Sequence, residues 1–226
     1  DLHLSHARGA ARMTELQSRW EQLRDRLPHG VHLLAVSKRQ PASAVRELAC
    51  CGQSDFGESR VQEALPKQQE LSDLAGLRWH FVGRLQANKV RPVVKAFDWV
   101  HSIDSLSLAQ RVSRIALEEN RRPSVLFQVK LRPDPDKTGW DPVELKQAWP
   151  GLRQLQGLNP CGLMTMAPLG FSEADRRGLF QDCRQLANAM DLPQCSMGMS
   201  GDWPEAAAAG ATWVRVGSAL FGARPQ

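Results

Sequence analysis

The sequence predicts an α/β chain folded as a single (β/α)8 TIM barrel with an extra N-terminal helix. Three observations carry that prediction. Eight short apolar runs alternate with longer amphipathic stretches, nearly every pair of runs is separated by a helical pattern, and 226 residues is a length that one such barrel fills. A doubly wound open sheet has the same alternation, so closure is what the pattern leaves open. No linker, repeat or low-complexity segment divides the chain, and residues 1–226 are read as one domain.

The extra helix is expected over 7–27, with Leu16, Trp20, Leu23 and Leu27 along one face and Pro28 and Gly30 ending it. VHLLAV at 31–36 is a buried strand, and Pro41 opens a helix running to about residue 51. The second strand is expected at 53–56, followed by a helix over 59–71. RWHFVG at 78–83 forms the third strand and 87–96 the helix after it. DWVHSI at 98–103 and SVLFQV at 124–129 are strands on either side of a helix over 105–120. Asp141 and Pro142 start the next helix, and LNPCGLM at 158–164 is the sixth strand. Ser172 caps a helix over 173–190, a short strand lies near 194–197, and an alanine-rich helix covers 203–209. TWVRVG at 212–217 closes the series and leads into a short helix.

Composition excludes several classes. A hydrophobic share of 42% with 23% charged residues is ordinary for a globular chain, so disorder and collagen-like repetition are ruled out. No run approaches about 18 apolar residues, so no membrane span is expected, and the first twenty residues carry scattered charge rather than a signal peptide's apolar stretch. The net charge of +5 does not come from a cluster; the Arg pairs at 121–122 and 176–177 have acids nearby, which describes a mixed surface and no nucleic-acid partner. Five cysteines without a CxxC pair read as free thiols in a reducing cytoplasm, with no metal site.

In such barrels chemistry gathers where the strands run out at their C-terminal ends. Those ends bring up Lys38, Glu58, Ser59, His80, Gly83, Ser102, Lys130 and Met164, then Ser196 to Ser200, Arg215, Gly217 and Ser218. The loops after strands seven and eight, SMGMSGD and VRVGSALFG, supply glycines, hydroxyls and backbone N–H groups where this fold usually holds a phosphate; plain tight turns are the alternative. Lys38 lies two residues past the LLAV run, and a lysine opposite a phosphate cradle can form an imine with a phosphorylated aldehyde. Lys89, Lys130 and Lys137 compete for that role. Arg215 alternates with Val214 and Val216, either pointing inward as the partner of a ring nitrogen or outward into a surface ion pair. His80 is either a hydrogen-bonded interior histidine or a base, and Glu58 is read as serving the dipole of the helix that follows it.

These residues sit in stretches with a family likeness. LLAVSK at 33–38, FGESRVQEA at 56–64, WHFVGRLQANK at 79–89, HSIDS at 101–105, GLMTMAP at 162–168, SMGMSGD at 196–202 and VRVGSALFGAR at 214–224 occur in that order. Over essentially its whole length the chain resembles the pyridoxal phosphate homeostasis proteins, whose fold is like the N-terminal barrel of alanine racemase. The resemblance implies that Lys38 holds pyridoxal 5′-phosphate as an internal aldimine, that Ser200, Gly217 and Ser218 bind its phosphate, and that Arg215 faces the pyridine nitrogen. Met164, His80 and Ser59 would lie around the cofactor. Two positions depart from the family: Ser59 stands where Gly-Glu-Asn is common, and Lys130 where an Asn is expected.

The resemblance further implies a protein of intracellular vitamin B6 homeostasis, without appreciable catalysis, that shields the aldehyde and passes it to pyridoxal phosphate-dependent apoenzymes. An arginine at the ring nitrogen leaves that nitrogen unprotonated and weakens the electron sink that catalysis needs. Racemase relatives of the barrel take a second base, a tyrosine, from an additional β-domain; this sequence has no tyrosine and ends at residue 226. A monomer is expected. The alternatives are a weak amino-acid racemase or lyase using the same cofactor, and a Schiff-base sugar-phosphate aldolase, which would be colourless.

Overall fold

The computed structural model describes residues 12–223. Eight strands pair in sequence order, all parallel, and close into a barrel. They are β1 (His32–Val36), β2 (Asp55–Glu58), β3 (Arg78–Phe81), β4 (Trp99–Ile103), β5 (Ser124–Gln128), β6 (Asn159–Met164), β7 (Gln194–Ser196) and β8 (Trp213–Val216). Closure rests on β8 pairing with β1 from His32↔Trp213 to Ala35↔Val216, which excludes the open sheet. The helices are α1 (Glu15–Arg26), α2 (Ala42–Cys51), α3 (Val61–Glu70), α4 (Val90–Ala96), α5 (Leu106–Glu118), α6 (Pro142–Leu152), α7 (Glu173–Ala189), α8 (Trp203–Ala208) and α9 (Ser218–Phe221). A single 3-10 turn, Ala87–Lys89, leads into α4.

Two elements differ from expectation. The first helix begins at Glu15, because Thr14 caps it: the Thr14 hydroxyl accepts from the Gln17 N–H, and the Gln17 side chain reaches back to the Thr14 N–H. Of the expected span, residues 7–11 lie outside the described residues. The second strand is Asp55–Glu58 rather than 53–56. Gly52, at φ +114, ends α2 in the left-handed conformation, and the buried Gln53 side chain then serves its neighbours. It accepts from Trp20 Nε1 (2.9 Å) and donates to the carbonyls of Leu33 (2.9 Å) and Asp55 (2.8 Å).

The apolar residues form two bodies. The larger lies between the strands and the helices and includes Val45, Phe56, Phe81, Phe97, Phe127 and Phe180. The smaller one, inside the barrel, holds Leu34, Val36 and Trp213, with Val82 and Trp99 against it. Barrel interiors are usually filled by layers of branched aliphatic side chains. Here aromatic and polar groups take much of that space: His80 stacks on Trp99 at 5.1 Å and 13°, and tilts against Trp213 at 4.8 Å. Helix α1 packs on α2 and α9. Arg19 of α1 donates to the carbonyls of Leu220 (2.7 Å) and Phe221 (3.1 Å), which fastens the end of α9 to the barrel wall.

Candidate cofactor site at the barrel mouth

At the C-terminal ends of the strands lies a cavity of about 340 Å³ lined by Lys38, Ser59, Ser200, Arg215, Gly217 and Ser218, with Val36, Val82, Met166, Met199 and Gly201. That volume falls at the lower end of the roughly 300–1,000 Å³ typical of small-molecule sites. The cavity is built from two dissimilar sides.

The first side carries Lys38 on the turn after β1, which a buried ion cluster pins on both flanks. Lys67 of α3 is 6% exposed and Glu58 of β2 fully buried. The Lys67 ammonium spends its three donors on Glu58 Oε1 (2.9 Å), Glu63 Oε2 (2.9 Å) and the Ser37 carbonyl (2.8 Å). Ser37 Oγ donates to Glu58 Oε2 (2.6 Å), and the Arg39 N–H donates to Glu63 (2.7 Å). The residues before and after Lys38 are thus held by one charge network. Burial pushes the Glu58 carboxyl up, an effect that Ser37 and Lys67 offset only in part. Burial also works on Glu63, but Lys67 and the Arg39 N–H hold its carboxyl below the usual range. Glu58 therefore does not serve a helix dipole as expected: it points under α3 and pairs with Lys67. Close packing continues at Gly83, where a Cβ would lie 2.3 Å from the Ser59 carbonyl oxygen.

The second side is made of backbone and hydroxyls. After β7 the chain turns at Gly198, whose φ of +97 suits glycine and where a Cβ would meet the Ala206 Cβ at 2.6 Å. Asp202 Oδ1 accepts from the Met199 N–H (2.7 Å), and Ser200 Oγ accepts from the Ala219 N–H (3.1 Å). The loop after β7 is thereby tied to the first turn of α9. Ser200, Gly201, Gly217 and Ser218 line the same cavity as Lys38.

Arg215 forms the floor. It points inward, 5% exposed, and donates to Ser196 Oγ (2.7 Å) and the Thr165 carbonyl (3.1 Å). Burial brings its guanidinium down to about 10, which still leaves it cationic near neutral pH. The alternative of an outward surface ion pair is excluded.

Of the residues read from the sequence, Lys38, Ser59, Ser200, Arg215, Gly217 and Ser218 come together at this cavity. Met164 and His80 do not line it. Met164 ends β6 at 1% exposure, paired in register with Ser196, and Met166 two residues on lines the wall instead. His80 lies deeper, fully buried, with its ring nitrogens 2.9 Å from His101 Nε2 and 2.8 Å from Asp55 Oδ1. Of the competing lysines, Lys89 lines a neighbouring cleft, and Lys130 and Lys137 flank a small crevice beside Met166. Sequence reasoning missed Lys67, Asp55 and His101, and it gave Ser196 only as a strand-end residue. The signal available for His101 was a polar residue inside an apolar strand run.

Residues 12–225 match the model of the alanine racemase N-terminal domain family. A Synechocystis protein named pyridoxal phosphate homeostasis protein is 48% identical over 204 residues, covering 88% of this chain and 94% of the relative. One of the same name from Pseudomonas aeruginosa is 43% identical over 220 residues, covering 96% and 94%. The structure of PipY from Synechococcus elongatus with pyridoxal phosphate bound superimposes with a TM-score of 0.89 at 50% identity, covering 92% of this chain and all of that one. Alanine racemase from Clostridium difficile shares the fold at 16% identity, with a TM-score of 0.79 over 93% of this chain and 60% of its own. The chain belongs to the alanine racemase N-terminal domain family and, within it, to the pyridoxal phosphate homeostasis proteins.

Proposed function

We propose that this protein binds pyridoxal 5′-phosphate at the barrel mouth and takes part in intracellular vitamin B6 homeostasis, without appreciable catalysis. The observation that carries the reading is one cavity lined by a single lysine, Lys38, by hydroxyls and glycines, and by a buried arginine. Each part suits a piece of the cofactor: an amine for the aldehyde, a donor-rich wall for the phosphate, and a donor for the ring nitrogen. The group, when bound, supplies an aldehyde that a lysine amine captures reversibly. Lys38 would hold that end, and Ser200, Gly217 and Ser218 the phosphate. Val36, Val82, Met166 and Met199 give apolar walls that exclude water, with Ser59 at the rim.

Weak catalysis follows from what these residues can do with protons. Guanidinium is a donor only, so Arg215 offers no proton exchange at the ring nitrogen and keeps that nitrogen an acceptor. Among the described residues that line the cavity there is no carboxylate, histidine, cysteine or tyrosine to act as a second base. Holding and release, rather than turnover, suit such a site. The names of the relatives and the bound cofactor in PipY support this reading. We further propose a cytoplasmic monomer that hands the cofactor to apoenzymes.

The test is a visible absorption titration with pyridoxal phosphate, on wild type and Lys38→Ala. A saturable band in wild type that is absent from Lys38→Ala supports the reading. No band in wild type overturns it and turns attention to sugar-phosphate aldol cleavage. Amino-acid turnover that disappears in Lys38→Ala would make the protein an enzyme.

A further inference from the structure

Among the described residues no carboxylate lies within ion-pair distance of Arg215, which is buried and feels the Asp202 charge only from farther off. Its hydrogen bonds lead away from the cavity through the barrel interior. Arg215 Nη1 lies 2.7 Å from Ser196 Oγ, which lies 2.8 Å from His101 Nδ1. His101 Nε2 lies 2.9 Å from His80 Nδ1, and His80 Nε2 lies 2.8 Å from Asp55 Oδ1. Asp55 is in turn gripped by Arg78 through Nε (2.9 Å) and Nη2 (2.8 Å), at the N-terminal end of the barrel. The chain of contacts crosses β8, β7, β4, β3 and β2 and joins one face of the barrel to the other.

The hydrogens along this path can be counted. Arginine only donates, so Ser196 Oγ accepts from it and has one hydrogen left to give. That hydrogen goes to His101 Nδ1, which must therefore be bare, so the His101 proton sits on Nε2 and points at His80 Nδ1. His80 Nδ1 is then bare as well, and its proton sits on Nε2, facing the Asp55 carboxylate. Every donor meets an acceptor with both imidazoles neutral and each in a single tautomer. The reverse order with neutral rings would set a bare His80 Nε2 against the carboxylate, two acceptors at 2.8 Å; it works only with an extra proton, on His80 or on Asp55. Burial pushes both imidazoles down, His101 strongly, while Asp55 is held low by His80 and Arg78 against its own burial.

We propose that Ser196, His101, His80 and Asp55 form a one-way hydrogen-bond relay that positions Arg215 at the cavity floor and ends on the Asp55 carboxylate at the opposite end of the barrel. These four are positioning residues, since none lines the cavity. Aligned hydrogen bonds polarise one another, so the carboxylate at the far end strengthens Ser196 as the acceptor for Arg215. With Nη1 and Nη2 engaged by Ser196 and Thr165, the guanidinium plane is fixed beneath the cavity. The use of that fixed donor by a ring nitrogen rests on the cofactor reading; the proton order of the relay does not.

The first experiment is 15N–1H correlation of the histidine side chains in cofactor-free wild type between pH 6 and 8. The relay predicts that His80 and His101 are both neutral Nε2–H tautomers throughout. A cationic His80, or an Nδ1–H tautomer at either ring, would overturn the proposal whatever the cofactor does. The second experiment compares Ser196→Ala with Ser196→Thr, which keeps the hydroxyl. Ser196→Ala should unlock the His101 tautomer and weaken pyridoxal phosphate binding roughly five- to tenfold, the equivalent of one hydrogen bond, and Ser196→Thr should restore both. Wild-type affinity and spectrum in Ser196→Ala would overturn the positioning role. A wild type with the predicted tautomers that binds no cofactor would instead sink the cofactor reading and leave the relay standing.

Discussion

The two sides of the barrel mouth hold their groups by different physics. On the β1–β2 side Lys38 stands on a turn whose flanking residues are clamped by the buried Lys67 and Glu58 and the half-buried Glu63. On the β7–β8 side Ser200, Gly217 and Ser218 are set by a left-handed glycine, an Asp202 contact and one hydroxyl bond to α9. A buried ion cluster gives a single geometry but fails badly when one member is removed. Backbone and hydroxyl contacts near water fail gently, each costing about one hydrogen bond. The lysine side is therefore the rigid reference, and the glycine and hydroxyl side, proposed for the anion, is the part that gives more easily.

The largest effect is expected from breaking the clamp. Lys67→Met leaves Glu58 buried and uncompensated, and urea unfolding should show a loss of about 3–5 kcal/mol. Adding Glu58→Leu to it should recover most of that loss, since a well-packed apolar pair replaces a buried ion pair at little cost. A double variant as unstable as the single would mean that the cluster acts by packing alone.

The interior between the two sides sets the pH dependence. His80 and His101 are pushed below their ordinary 6.5 in the folded protein, so the unfolded chain binds protons that the native state refuses. Their contribution is complete above pH 6.5 or so and is lost as pH falls below it. Urea unfolding at pH 7, 6 and 5 should show stability falling with a slope that approaches two protons, at most about 2.7 kcal/mol per pH unit. His101→Gln should reduce that slope; an unchanged slope would assign the acid sensitivity elsewhere.

Smaller effects belong to the anion side. Gly198→Ala forces a Cβ to within 2.6 Å of Ala206 at a positive φ, and thermal unfolding should register a loss of about 1–3 kcal/mol. Ser200→Ala removes the hydroxyl that receives the Ala219 N–H and should cost about 1 kcal/mol. Phosphate competition against bound cofactor should then ease about tenfold while Lys38 attachment persists, which separates the two sides directly.

The barrel and most of its mouth could be read from the sequence because period and punctuation are local properties. Lys38, Arg215, Gly217 and Ser218 fall just inside or beyond unmistakable strands, and the strand ends define the mouth. β2 lies two residues later than expected, at Asp55–Glu58, and both of its charged residues are buried, one in each direction. Asp55 points into the barrel toward His80, and Glu58 points under α3 toward Lys67. Strand alternation says that they face opposite ways but not which way is inside; only closure of β8 on β1 fixes that. The relay was illegible for the same reason, since its members come from five strands and their meeting depends on barrel register. Met164, which the resemblance implies, ends β6, while Met166 two residues on lines the cavity, a distance that sequence boundaries do not resolve.

The central claim is that Lys38, among all the lysines near the mouth, is the residue that holds the cofactor. The direct measurement is borohydride reduction of the protein loaded with pyridoxal phosphate, followed by mass mapping of its peptides. One added phosphopyridoxyl group, on the peptide that contains Lys38, is the predicted result. The same group on Lys89, Lys130 or Lys137, or no stable addition at all, would contradict the account.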